Sequence, residues 1–104
     1  MDTMLRAIAD GTRRQILALV WHDELTAGQI AAEFTISRPA VSQHLAILRD
    51  SRLVSVRREG TRRLYRADVS AIARLRAELG RFWDAHLTQL KQAAEVSARK
   101  ARRR

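Results

Sequence analysis

The chain has no cysteine, one proline, four glycines and few aromatic residues, 5% in all. Without thiols there are no disulfides, zinc fingers, thiolate metal sites or thiol redox sensors. So few helix breakers suit a mostly helical protein. No apolar run approaches the roughly 20 residues that a membrane span requires. The N-terminus also lacks the long apolar core of a secretory signal. The expectation is therefore a cytoplasmic protein with no membrane partner. Its three histidines, His22, His44 and His86, fall on different predicted elements. No nucleophile, carboxylate pair, glycine-rich phosphate loop or acidic metal cluster surrounds them, so neither an enzyme nor a cofactor is expected.

What the chain does have is arginine. Lysine and arginine total 20 against 11 acidic residues, a net charge of +9, and eighteen of the twenty are Arg. Arginine presents a planar fork of donors suited to phosphate oxygens and guanine edges, where lysine presents a point charge. A small basic chain points to an acidic partner, either nucleic acid or a membrane surface. Its 104 residues allow one domain, and 46% of them are apolar. A chain this short buries only about two-thirds of its unfolded surface, so a long apolar face needs a partner chain.

The apolar spacing predicts a short helix after Asp2, with Met4, Leu5 and Ile8 on its apolar side. Asp10 caps a second helix that reaches about Trp21 and carries Ile16, Leu17 and Val20 inward. Thr26 and Gln29 form a capping box, flanked by Leu25 and Ile30 at the positions of a hydrophobic staple. That third helix turns Ile30, Ala31 and Phe34 inward and stops near Thr35. Ser37 caps a fourth, with Pro39 tolerated in its first turn and Val41, Leu45 and Leu48 along one side. Two short helices so closely joined make a helix-turn-helix unit. From Leu53 to Glu59 the period becomes two. Gly60 suits a tight turn, and a return strand runs from Thr61 to Ala67 with Leu64 and Tyr65 on opposite faces. Asp68 caps a long last helix whose Ile72, Leu75, Leu79, Phe82, Trp83, Leu87 and Leu90 recur at steps of three and four. The fold class is mainly α with a small β-hairpin. One domain is expected over residues 1–98, followed by a basic, frayed or disordered tail, 99–104.

At 100° per residue, Ser42, Gln43, Ala46 and Pro39 face away from the buried stripe of the fourth helix. This small, amide-rich face suits a major groove about 12 Å wide, although an ordinary polar surface would look the same. The neighbourhood separates the two readings. Between Arg38 and Arg66 there are eight arginines against Asp50 and Glu59, a local balance of +6. Arg57, Arg58, Arg62 and Arg63 bracket the Gly60 turn and would repel one another without an anion among them. A DNA phosphate backbone or minor groove supplies that anion.

The run from Ser37 to Leu45 (SRPAVSQHL), with Leu48, Arg49, Leu53 and Val54, resembles the recognition helix of ArsR-type winged-helix repressors. Asp10, Thr12, Arg13, Arg14, Ile16 and Leu17 upstream fit the same pattern, as does the Arg57–Tyr65 wing downstream. The resemblance spans about residues 3 to 95. It implies a winged helix-turn-helix homodimer, paired through its first and last helices, that represses genes, often its own, at an inverted-repeat operator in double-stranded DNA. By resemblance Ser37, Arg38, Ser42, Gln43 and His44 contact DNA, with Arg62, Arg63 and Tyr65 on the wing; the charge pattern adds Arg57 and Arg58. For His44 the helical wheel equally allows a satisfied, half-buried ring. The expected dimer seam is Met4, Leu5, Ile8, Leu79, Phe82, Trp83, Leu87 and Leu90.

Many relatives sense metals, and here the chain departs from them. Asp84 and His86 supply half of one known type of site, but the positions of the remaining ligands hold Ser97 and Lys100. Two ligands do not make a zinc site, and a lysine repels the cation, so no metal is expected. A non-specific architectural DNA protein is the competing reading; it explains the charge but not the small outward face of the fourth helix.

Overall fold

The computed structural model describes residues 1–102. In chain order it contains α1 (Asp2–Ile8), α2 (Gly11–Leu19), α3 (Ala27–Ala31), α4 (Arg38–Asp50), β1 (Val54–Glu59), β2 (Arg62–Ala67) and α5 (Val69–Arg102). It divides into a compact body, Met1–Ala73, and a second unit that begins at Arg74 within α5.

The starts of α2, α3, α4 and α5 are set by side chains, as the sequence suggests, whereas α1 begins after Met1 without a side-chain cap. The Asp10 carboxylate accepts from Arg13 N–H (3.0 Å), and the Asp68 carboxylate accepts from Ala71 N–H (3.0 Å). The capping box closes in both directions: Thr26 Oγ1 accepts from Gln29 N–H (3.2 Å), and the Gln29 side chain accepts from Thr26 N–H (2.8 Å). Ser37 Oγ accepts from Ala40 N–H (3.2 Å), with Pro39 in the first turn of α4. Each cap satisfies a backbone donor that the helix itself leaves free.

The helix ends depart from the expectation, each for a backbone reason. α2 stops at Leu19 rather than near Trp21, because Val20 leaves the helical conformation and turns its carbonyl to Ala67 N–H (2.9 Å). α3 stops at Ala31 rather than near Thr35. Its last turn tightens into three-residue bonds, Glu33 N–H to the Ile30 carbonyl and Phe34 N–H to the Ala31 carbonyl. α4 closes with Ser51 as C-cap and Arg52 in the left-handed region (φ 63°). Arg52 N–H donates to the Arg49 carbonyl (3.0 Å) and Leu53 N–H to the Leu48 carbonyl (2.9 Å). This is a Schellman closure, with buried Leu48 and Leu53 in its apolar positions and arginine where glycine is usual.

β1 and β2 pair antiparallel, Val54 opposite Ala67 through Glu59 opposite Arg62, across the two-residue turn Gly60–Thr61. Gly60 takes φ 63° at the first turn position, as a II′ hairpin requires. Leu64 and Tyr65 alternate in direction and are both buried. A link not foreseen from sequence joins the hairpin to the segment before α3. Leu25 and Tyr65 exchange both backbone bonds (3.0 and 2.8 Å), a one-residue extension of the sheet.

The core sits between α2, α3, α4 and the base of the hairpin. Ile16, Val20, Ile30, Val41, Leu45, Leu48 and Leu53 are fully buried there. Each such side chain contributes roughly 1.5–3 kcal/mol. Met4 and Ile8 of α1 pack partly against this core.

In the second unit α5 continues as helix to Arg102. The segment from Arg99, expected to be frayed, is therefore helical as far as Arg102; Arg103 and Arg104 lie outside the described residues. Phe82, Trp83, Leu87 and Leu90 are 45–66% exposed. At 100° per residue they fall with Leu79 within an arc of about 140°. No helix among the described residues is long and apolar enough to cross a membrane.

Candidate nucleic-acid interface

α4 buries Val41, Leu45 and Leu48 and leaves Pro39, Ser42 and Gln43 exposed on the opposite side. Asp50 shares that outward side, and its carboxylate is held by Arg49 (3.2 Å). Ile47 also faces out and is 42% exposed. The result is a helix with a short, uncluttered face that a groove could accept.

Strand alternation sorts the wing into two faces. Val54, Val56, Tyr65 and Ala67 line the core face, which continues at the tip as Arg58 directly opposite Arg63. The other face carries Ser55, Arg57, Glu59, Arg62, Leu64 and Arg66. There Arg57 is gripped by two carboxylates, Glu24 (2.9 Å) and Glu59 (3.1 Å). The Glu24 hydrogen bond, with that of Glu59, raises the Arg57 guanidinium pKa above its ordinary value. Arg58, Arg62 and Arg63 have no carboxylate partner among the described residues.

Between the wing and α3 lies an open cleft of about 450 Å³, whose lining includes Thr26, Gly28, Arg38, Arg62, Arg63 and Tyr65, with Thr61 from the turn. Arg38, the first residue of α4, folds back so that its guanidinium lies across the bare backbone of Gly28. A Cβ built there would sit 3.5 Å from Nη1 and 3.7 Å from both Cζ and Nη2.

Behind α4, Arg13 ties three elements together. Its Nε donates to the Ala7 carbonyl (2.6 Å) and Nη2 to the Arg6 carbonyl (3.3 Å), closing the end of α1. Its Nη1 lies 3.4 Å from His44 Nδ1. A guanidinium has no acceptor, so Nδ1 must accept and the His44 ring proton belongs on Nε2. Arg14 adds a bond to the Ile8 carbonyl (2.7 Å). The Asp10 carboxyl is held below its ordinary pKa, chiefly by the backbone N–H of Arg13 and further by the nearby Arg13 guanidinium.

This arrangement coincides with a known pattern. Residues 10–56 match the family described as "Bacterial regulatory protein, arsR family". The chain is 48% identical over 87 residues to the HTH-type transcriptional regulator Rv2034 of Mycobacterium tuberculosis, an overlap of 84% of this chain and 81% of that protein. The chain belongs to the ArsR family. The transcriptional repressor SdpR of Bacillus subtilis is 45% identical over 60 residues, 58% of this chain and 67% of its own. Among solved structures, the homodimeric winged helix-turn-helix DNA-binding domain Mb0332 from Mycobacterium bovis, a possible ArsR-family regulator, aligns with a TM-score of 0.65. It is 36% identical and covers 83% of this chain and 80% of that one. This ArsR-family chain is thus a winged helix-turn-helix, DNA-binding transcriptional regulator and not an enzyme.

Of the ten residues expected at DNA, Ser37, Arg38, Ser42, Gln43, Arg58, Arg62 and Arg63 are exposed on α4, its N-terminal cap or the wing. Three are placed otherwise than open contacts. Arg57 is already paired with carboxylates, because Glu24 reaches it from the loop before α3. Tyr65 is 8% exposed, drawn into the core by its pairing with Leu25, and only lines the cleft. His44 is half-buried against Arg13, as the helical wheel allowed. Two residues escaped the sequence reading. Arg13 gave no signal beyond its motif, since its partners lie six to thirty-one positions away. Ile47 could have been found, because the wheel places it about 125° from the centre of the buried stripe.

Proposed function

We propose that the chain is a sequence-specific repressor that binds an inverted-repeat operator as a homodimer, with its own promoter among its targets. The observation that carries this reading is the pairing of an uncluttered α4 face with a wing tip whose Arg58, Arg62 and Arg63 lack carboxylate partners among the described residues. In this reading Ser42 and Gln43 address base edges from the major groove, with Ser37 at the adjoining backbone. Arg38 and the wing arginines hold phosphates. His44 offers its Nε2 proton from the flank of the helix.

Dimerisation is supported by the exposed row Phe82, Trp83, Leu87 and Leu90, which in water would invite aggregation. With Leu79 and with Met4, Leu5 and Ile8 of α1 it makes the proposed seam. The homodimeric relative supports the same reading. Metal control has no support in the donor set. Beside Asp84 and His86, the side chains of Ser97 and Lys100 offer no third or fourth ligand.

Selection of bound duplexes from random DNA, followed by footprinting, tests the reading. The expected outcome is an imperfect palindrome with half-sites about one helical turn, roughly 34 Å, apart. Recovery of unrelated sequences with equal affinity would make the protein a non-specific architectural factor. A reporter that falls in activity on deletion of the gene would make it an activator.

A further inference from the structure

We propose that the cleft between the start of α4 and the wing seats a single DNA phosphodiester, gripped jointly by Arg38 and Arg63. This rests on the DNA reading above and assigns to one backbone group what an element-by-element view would divide between recognition helix and wing.

The first argument is charge. Arg38, Arg62 and Arg63 reach the cleft from two separate elements, and no carboxylate lines it. None of the three has an acidic partner among the described residues, although Glu24, Glu59 and Asp50 are close enough in the fold to serve Arg57 and Arg49 instead. Glu24, Glu59 and Asp50 thus pair outside the cleft. Like charges converging without a counter-ion are unfavourable, so the arrangement is complete only with an anion between them.

Direction is the second argument. Arg38 does not extend along the outward side of α4 toward base edges. Its guanidinium lies over Gly28 and faces the wing, and the missing Cβ leaves flat backbone beneath it. Arg63 shares the core face of the wing with Tyr65, which also lines the cleft. Hydroxyl donors complete the lining. Thr26 Oγ1 already accepts from Gln29 N–H, which leaves its own proton to give, and Thr61 stands at the turn.

The third argument is rigidity. The double backbone bond between Leu25 and Tyr65 fixes β2 against the residue preceding Thr26. The Glu24–Arg57 pair adds a side-chain tether across the same junction. The two walls of the cleft are therefore set in place before any ligand arrives. A phosphate seated there fixes the wing and the recognition helix in one register on the duplex and carries no sequence information itself.

The test is a double-mutant cycle on the full chain with one selected duplex at constant salt: wild type, Arg38→Ala, Arg63→Ala and the pair. Each single change is expected to weaken binding about tenfold, within the range of a lost charged hydrogen bond. The pair should lose far less than the product, because both arginines serve one phosphate. Methylphosphonate scanning should find one position per half-site whose neutralisation abolishes the effect of either substitution. Repeating the selection with Arg38→Ala should return the wild-type base preferences. Multiplicative losses, separate sensitive phosphates or a changed base preference for Arg38→Ala would each overturn the shared seat while leaving the operator reading intact. Competition by inorganic phosphate at matched ionic strength would mark a free-anion site and overturn it as well. Wild-type protein with no salt-dependent duplex binding would remove both readings together.

Discussion

Replacing Arg52 with glycine should stabilise the protein. Arg52 follows the C-cap of α4 in the left-handed region, with φ 63° and an exposed side chain. For a residue with a Cβ this conformation costs roughly 1–2 kcal/mol. Arg52→Gly removes that cost and keeps both Schellman bonds, which are made by backbone atoms. Part of the gain, about 0.4–1 kcal/mol, is returned because glycine loosens the unfolded chain. The net expectation is about 0.5–1 kcal/mol, and each kcal/mol raises Tm by about 4–8 °C in a domain of this size. Urea and thermal unfolding at equal protein concentration measure it, since partner binding also shifts Tm. Arg52→Ala is the control: it keeps the backbone conformation and removes the guanidinium, so it should gain nothing. If Arg52→Gly is no more stable than Arg52→Ala, the left-handed residue is not strained and the reasoning fails.

Gln43→Ala should cost about 1–3 kcal/mol at one base pair per half-site and relax preference there, read by competition with single-base operator variants; uniform loss on all sequences would make Gln43 a backbone contact. Because the Asp10 carboxyl is held below its ordinary pKa, its stabilising contribution is complete above the ordinary carboxylate range and disappears as pH falls through its lowered value. Asp10→Asn keeps a side-chain cap and should flatten that acid limb of the stability–pH curve; an unchanged limb would place the titrating group elsewhere. Leu87→Glu puts a carboxylate into the proposed seam of both subunits and should give monomer or unfolded chain in sedimentation, with operator binding lost in parallel. A folded Leu87→Glu dimer with normal binding would move the interface off α5.

What could be read from the sequence was what short range decides. Asp10, Thr26, Ser37 and Asp68 bond three residues ahead, so their roles follow from local spacing. The buried stripe of α4 and the Gly60 turn follow from periodicity and from the tolerance of glycine for positive φ. The ends of α2 and α3 were misjudged because they depend on where backbone groups turn after the apolar pattern has ended. Val20, for example, gives its carbonyl to a residue 47 positions later. At the candidate site the arginine cluster was visible as composition, but its division of labour was not. Nothing near Arg57 in sequence says that Glu24 will hold it, or that Tyr65 will be pulled inward by Leu25. Arg52 shows the reverse case, a sequence that offered no glycine where the chain nonetheless turned left-handed.

The pairing of Leu25 with Tyr65 also bears on the order of assembly. In the recognition unit the starts of α2, α3 and α4 are set within the first forty residues, by caps that bond three positions ahead. The bonds that lock this unit to the hairpin join residues 40 and 47 positions apart, Leu25 to Tyr65 and Val20 to Ala67. On a growing chain these helices can therefore fix their starts early, whereas the reading head acquires a fixed relation to its wing only after Ala67 has emerged. Closing that long loop is the entropically slow step, and contacts of large sequence separation slow folding in general. In pulse-labelled refolding, the amide protons of Tyr65 and Ala67 should gain protection later than those of Arg13, Gln29 and Ala40. Simultaneous protection would mean that the helices do not hold their boundaries until the hairpin closes over them.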